Sequence, residues 1–171
     1  MDFDIAFDRL LGHEGGLSMD PKDSGNWTGG AIGKGELRGS KYGISAATFP
    51  KLDIANVTKE QAKEIFRTKF WDKVRGDTLL DGVAWQLSDF AYHSGPGTAI
   101  RKYQLALGVA DDGIFGSISQ GAAEAMSETD QIMRVVSVRL DFLSRRSGWL
   151  HNSRGWVRRI AQNLMYGAED S

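Results

Sequence analysis

Ten of the chain's 21 glycines fall between Gly12 and Gly43. Glycine loses more backbone entropy on folding than any other residue and offers no side chain to a core. This stretch is therefore neither helix nor close-packed interior; it reads as turns and short twisted strands placed around something. Long loops of this kind inside compact domains are usually functional. Two acids occupy it. Glu14 ends a helical pattern and precedes the Gly15-Gly16 turn, and Asp23 follows nine positions later in Pro21-Lys22-Asp23-Ser24-Gly25. The competing reading is a surface loop whose acids are merely solvated.

Around this stretch the periodicity is helical. Phe3, Phe7, Leu10 and Leu11 predict an amphipathic helix over 2–12, with Asp2 and Asp4 favouring its positive N-terminal end. Glycine pairs between Asn26 and Ile44 separate what read as two or three short antiparallel strands. Thr58-Lys59-Glu60-Gln61 is a capping box opening a helix to about Lys73. Thr78 is expected to cap the next helix, running to Tyr92, whose Leu79, Val83, Leu87 and Phe90 mark it as central and buried. Pro96 suits the first turn of a helix that Gly108 ends. A short helix to Met126, one from Glu128 to about Arg146 capped by Ser127, and a last one from Asn152 or Ser153 complete about seven. The expected class is mainly α (α+β): a glycine-rich β lobe at about 15–45, a helical lobe at about 46–171, and a cleft at their join.

The chain has 171 residues, enough for one domain with a sizeable core. It has no cysteine, which excludes disulfides and thiolate chemistry. Asp111-Asp112-Gly113 lacks the alternating acids and terminal Glu of a calcium loop, and no metal-ligand spacing accompanies His13, so no metal or cofactor is expected. The net charge of −1 hides an asymmetry, since 134–159 carries seven arginines and one acid. Without a nucleic-acid module this suggests an anionic envelope polymer or membrane rather than DNA, or else arginines snorkelling over a solvated helix face. The acidic N-terminus has no signal-peptide pattern, and no apolar run reaches 18 residues.

Glu14-Gly15-Gly16, Asp20-Pro21-x-Asp23-x-Gly25, Gly43-Ile44, Trp71-Asp72 and Asp89-Phe90-Ala91-Tyr92-His93-Ser94-Gly95-Pro96-Gly97 form an ordered set of motifs. Together they resemble glycoside hydrolase family 108, the phage and prophage endolysins that cut peptidoglycan. Gln104-Leu105 with Asp112-Gly113-Ile114-Phe115-Gly116 is similar to the segment often labelled a predicted peptidoglycan-binding region. The resemblance implies a lysozyme-like fold and N-acetylmuramidase activity. The chain departs from the family pattern twice. About a dozen extra residues separate Thr28 from Gly43, so the family threonine corresponds either to Thr28 or to Ser40, and Glu36 is added. His93 stands where the family more often has asparagine.

Glycosidic cleavage needs a proton donor to the leaving oxygen and a nucleophile or activated water at the oxocarbenium-like centre. Glu14 is the expected acid, and Asp23 the base or charge stabiliser, with Thr28 or Ser40 holding the water. Asp23 is also a good turn residue, and Glu36 is expected at the surface or a strand edge, the lesser reading being an alternate catalytic acid. Trp27, Tyr42, Asp89, Tyr92 and His93 are the expected sugar-binding residues, though Asp89 and Tyr92 equally suit holding the helix to the β lobe. The expectation is a monomeric endolysin made in the host cytoplasm and reaching the periplasm or wall through a holin-type pore. The rivals are a lytic transglycosylase, which needs a single Glu, a chitinase, and a non-catalytic wall-binding module.

Overall fold

The computed structural model describes residues 1–12 and 16–171, and of residue 151 the backbone alone. Among the described residues there are seven α-helices and one two-stranded sheet. The fold is mainly α, as the sequence predicts. The described residues group into two compact units, Asp4–Arg67 and Met1–Phe3 with Thr68–Ser171.

In the unit Asp4–Arg67, helix α1 (Phe3–Leu11) buries Ala6, Phe7 and Leu10 along one face. Helix α2 (Lys59–Phe66) opens on the predicted capping box. Thr58 Oγ1 accepts the Gln61 N–H, and Gln61 Oε1 accepts the Thr58 N–H. The two helices meet through Phe7 and Phe66, ring centroids 6.0 Å apart, and are flanked by Lys63–Asp4 and Lys59–Asp8 ion pairs at 2.7 and 3.4 Å. The glycine-rich stretch between them holds β1 (Ser40–Lys41) and β2 (Ile44–Ser45), joined by a two-residue turn at Tyr42-Gly43. Both turn residues have positive φ, 49° and 70°, which matches the twist of a tight hairpin. The other expected strands reduce to isolated bridges, Ser18 with Ser40 and Trp27 with Leu37. The glycines between Thr28 and Leu37 favour turns over continued pairing.

In the unit containing Thr68–Ser171, α3 (Asp81–Ser94) is buried all round from Gly82 to Ala91, and α4 (Pro96–Leu107), α6 (Glu128–Ser144) and α7 (Trp149–Asp170) pack on it. The helices approach closely where side chains are absent: a Cβ on Gly167 would lie 2.8 Å from Ile132 Cγ2. Trp85 is core, edge-on to Tyr166 at 5.5 Å. Pro96 and Gly108 bound α4 as expected, and Ser127 caps α6 by accepting the Asp130 N–H. Gln104 of α4 tethers the Asp111–Gly116 turn, donating to Asp112 Oδ1, the Ile114 carbonyl and Ser119 Oγ, while it accepts the Gly113 N–H. Helix α5 (Ser117–Glu124) follows.

Two expected helix starts move. Thr78 caps nothing: it closes a 3-10 turn, its hydroxyl donating to the Arg75 carbonyl, and α3 starts at Asp81 behind Leu80. The last helix begins at Trp149, not at Asn152 or Ser153, because Asn152 already bonds back through N–H and Nδ2 to the Gly148 carbonyl. No helix among the described residues is long and apolar enough to cross a membrane.

Candidate active site

Glu14 and His13 lie outside the described residues. The other candidates from the glycine-rich stretch all belong to the unit Asp4–Arg67. Asp23 is exposed and caps the 3-10 turn Ser24–Asn26, its Oδ1 accepting the Gly25 N–H at 2.8 Å. Its second oxygen has no partner among the described residues. The carboxylate is thus fixed by one oxygen and open to solvent through the other.

The two candidate hydroxyls differ in occupation. Thr28 bonds Glu36 twice, its N–H donating to the Glu36 carbonyl and its Oγ1 accepting the Glu36 N–H, both at 2.9 Å. Its oxygen therefore closes the loop. Ser40 exchanges backbone bonds with Ser18 at 2.8 and 3.0 Å, and its hydroxyl has no partner among the described residues. The Thr28 hydroxyl still has its own proton to donate, so both hydroxyls can hold a water, that of Ser40 without a competing partner among the described residues. Glu36 is exposed and paired with Arg38 at 2.5 Å, the surface role expected of it.

Trp27 is half-buried, and its indole N–H donates to the Pro21 carbonyl at 2.9 Å, which fixes the ring against the turn that carries Asp23. Tyr42 is half-buried with φ 49°, a conformation costly for an aromatic residue. Lys41 Nζ stands 5.4 Å from its ring centroid.

Asn26, which sequence reading passed over, holds this loop together. It is fully buried; its carbonyl accepts the N–H groups of Arg38 and Gly39, and its Nδ2 donates to the Asp20 carbonyl at 3.0 Å. A lone asparagine among glycines gives no sequence signal for such a role.

The remaining candidates sit on α3. Asp89 does not reach a sugar: it is fully buried. Arg139 Nη1 donates to its Oδ2 at 2.7 Å, Arg159 Nη2 to its Oδ1 at 2.6 Å, and Asn163 Nδ2 to its Oδ2 at 2.6 Å. Burial disfavours the charged carboxylate, but Arg159 and Arg139 outweigh it, with the hydrogen bonds of Arg159 and Asn163, and hold the carboxyl well below the usual range. Asp89 instead ties α3 to α6 and α7 within the helical unit, a role different from both the sugar contact and the hold on the β lobe weighed from sequence. Tyr92 is half-buried, edge-on to Phe70 at 5.2 Å, with the Arg159 guanidinium 5.9 Å from its ring. His93 is half-buried and edge-on to Trp156 at 5.8 Å. Burial, then the charges of Arg139 and Arg159, push its pKa down to about 4, Asp89 opposing. The imidazole is neutral at pH 7 and serves as a hydrogen-bonding group.

The arginine-rich segment is also less basic outside than its composition implies. Arg139 and Arg159 turn inward to Asp89, and Arg145 pairs with Asp141 at 2.8 Å. Arg134, Arg145, Arg146, Arg154 and Arg158 remain exposed.

A family model described as Glycosyl hydrolase 108 matches residues 7–95. That span holds every candidate named above and ends one residue after α3. Among solved structures, that of Brucella abortus SagA superposes with a TM-score of 0.87 at 29% identity, over 99% of this chain and 95% of that one. Comparison with curated proteins gives no match. With the lysozyme-like, mainly α fold and a glycine-rich loop carrying a fixed, exposed carboxylate, the chain belongs to the glycosyl hydrolase 108 family and is a glycoside hydrolase of the peptidoglycan-degrading kind.

Proposed function

We propose that this enzyme is a phage or prophage endolysin that hydrolyses the β-1,4 bond between N-acetylmuramic acid and N-acetylglucosamine, and so lyses the host cell. The reading is carried by Asp23, whose carboxylate is pinned through Oδ1 by the Gly25 N–H and open through its other oxygen. Such a group takes a proton from water without first having to be ordered. In the proposed step Glu14 gives its proton to the leaving sugar oxygen as the C1–O bond breaks. A water held by Ser40 attacks C1, and its proton passes to Asp23. Trp27 and Tyr42 supply aromatic faces for sugar rings. The expected stereochemical outcome is inversion.

The enzyme is made in the host cytoplasm and passes to the wall through a holin-type pore. Its second contact is an anionic envelope surface. Helix α7 carries exposed Leu150, Val157, Leu164 and Met165 beside Arg154 and Arg158, the composition of a helix that lies on anionic lipid or polymer. The enzyme acts as a monomer.

A second reading is favoured by the same Asp23 geometry, because capping a turn explains an aspartate without catalysis. Glu14 would then act alone as a lytic transglycosylase. Mass spectrometry of fragments released from purified peptidoglycan separates the two: reducing N-acetylmuramic acid ends are expected, and anhydro-muramyl ends overturn hydrolysis. Glu14→Gln should abolish cleavage while wall binding persists; full activity in that variant removes Glu14 from the mechanism.

A further inference from the structure

An open groove of about 530 Å³ lies within the unit Asp4–Arg67, in the size range of small-ligand sites. Leu17, Met19, Leu37 and Ala55 line it, with the buried Ile54 behind them, and charges from Arg38, Lys51 and Asp53 line it as well. Leu17 and Met19 are 45% and 44% exposed, a poor use of two large apolar side chains in a structure that could have buried them. They flank Ser18, whose bridge to Ser40 sets extended backbone there, so both side chains leave the chain on the same side.

The apolar wall is built by a glycine. Gly39 is buried at φ 80°, and a Cβ there would lie 2.6 Å from Met19 Sδ and 3.3 Å from Leu17 Cδ1. That Cβ would strike the Ser18 carbonyl oxygen first, and φ 80° itself disfavours a side chain, so glycine lets the Leu17–Met19 segment lie against this strand. The charges differ in freedom. Arg38 is held by Glu36 at 2.5 Å and by the Pro50 carbonyl at 3.2 Å. Asp53 accepts from Asn56 Nδ2 at 2.9 Å. Lys51 has no partner among the described residues and is exposed.

We propose that this groove binds the stem peptide of peptidoglycan, which deepens the muramidase reading and rests on it. A stem peptide is a run of small apolar residues interrupted by carboxylates and one free amine. Two cations, one anion and an apolar floor complement that mixture. Neutral N-acetyl sugars would leave the charges unused. A fully apolar partner would desolvate three ionic side chains without compensation. The stem hangs from the muramyl sugar, and the groove wall belongs to the same paired segment as Ser40.

The test compares wild type with Lys51→Glu and Leu17→Ser on two substrates, intact peptidoglycan and glycan strands freed of stem peptides by an amidase. Both substituted positions are exposed, and neither belongs to the catalytic set. Wild type should cleave the intact polymer faster by about tenfold, equivalent to roughly 1.4 kcal/mol. Each variant should lose most of that preference while keeping its rate on stripped strands. Equal wild-type rates on both substrates overturn the groove assignment. If wild type cleaves neither, the muramidase reading falls instead. Titration with free stem peptide, followed by NMR of the Met19 methyl group, then decides the groove alone: a saturable shift supports it, and no shift overturns it.

Discussion

Arg139 and Asp89 form an ion pair at 2.7 Å with both side chains almost wholly removed from water, 1% and 0% exposed. A buried pair of this kind adds little over an apolar core, but losing one partner strands the other. Here two further groups, Arg159 and Asn163, converge on the same carboxylate. Asp89→Asn should therefore destabilise the protein by about 3–5 kcal/mol, read as a fall in urea midpoint. An unchanged midpoint would mean that the cluster relaxes into water.

His93 sets the acid sensitivity. Its pKa is about 4 in the folded protein against an ordinary 6.5. Between those values the unfolded chain binds the proton and the folded one does not. Stability is thus full above about pH 6.5 and declines as pH falls towards 4. The depressed Asp89 carboxyl works in a lower window, its contribution being present above the ordinary aspartate value and lost only below it. His93→Asn should flatten the decline between pH 6.5 and 4 in unfolding curves, leaving the loss at lower pH in place.

Asp23→Asn separates base from cap. Asparagine caps turns as well as aspartate does, so folding should be unaffected while kcat falls by about 10²–10⁴. Steady-state hydrolysis of purified peptidoglycan measures it. Full activity would leave Asp23 as a turn residue.

Thr28 and Ser40 should respond in opposite ways. Thr28→Val removes the acceptor for the Glu36 N–H and should cost about 1 kcal/mol of stability. Ser40→Ala should leave the melting temperature unchanged and lower kcat. Calorimetry beside kinetics distinguishes them, and the reverse pattern would reassign the water-holding hydroxyl to Thr28.

Tyr42→Gly should stabilise the hairpin by about 1 kcal/mol, because glycine adopts φ 49° without the aromatic residue's steric cost. It should also raise KM by removing a stacking face. An unchanged KM would make Tyr42 a turn residue alone.

Local chemistry was readable from the chain; long-range placement was not. The Thr58 box, Pro96, Gly108 and Ser127 each act within one helical turn, and each does what its residue type dictates. Thr78 misled because a cap and a turn-closing hydroxyl look alike until the backbone direction is known. Asn26 and the partners of Asp89 were invisible for a different reason. Arg139, Arg159 and Asn163 lie 50, 70 and 74 positions from Asp89, and no local pattern marks an arginine that turns inward. Within the glycine-rich stretch, the motif order named the candidates, whereas the bond from the Glu36 N–H to Thr28 Oγ1 closes a loop that no local pattern marks.

Those separations also fix the order of events during synthesis. Asp89 leaves the ribosome long before its counter-charges exist, and the nearer of them arrives a whole helix ahead of Arg159 and Asn163. Until the final helix has emerged, α3 has no complete set of neighbours and its carboxylate no reason to leave water. The larger unit therefore closes only once α7 has emerged, so a chain cut before α7 yields no finished helical half.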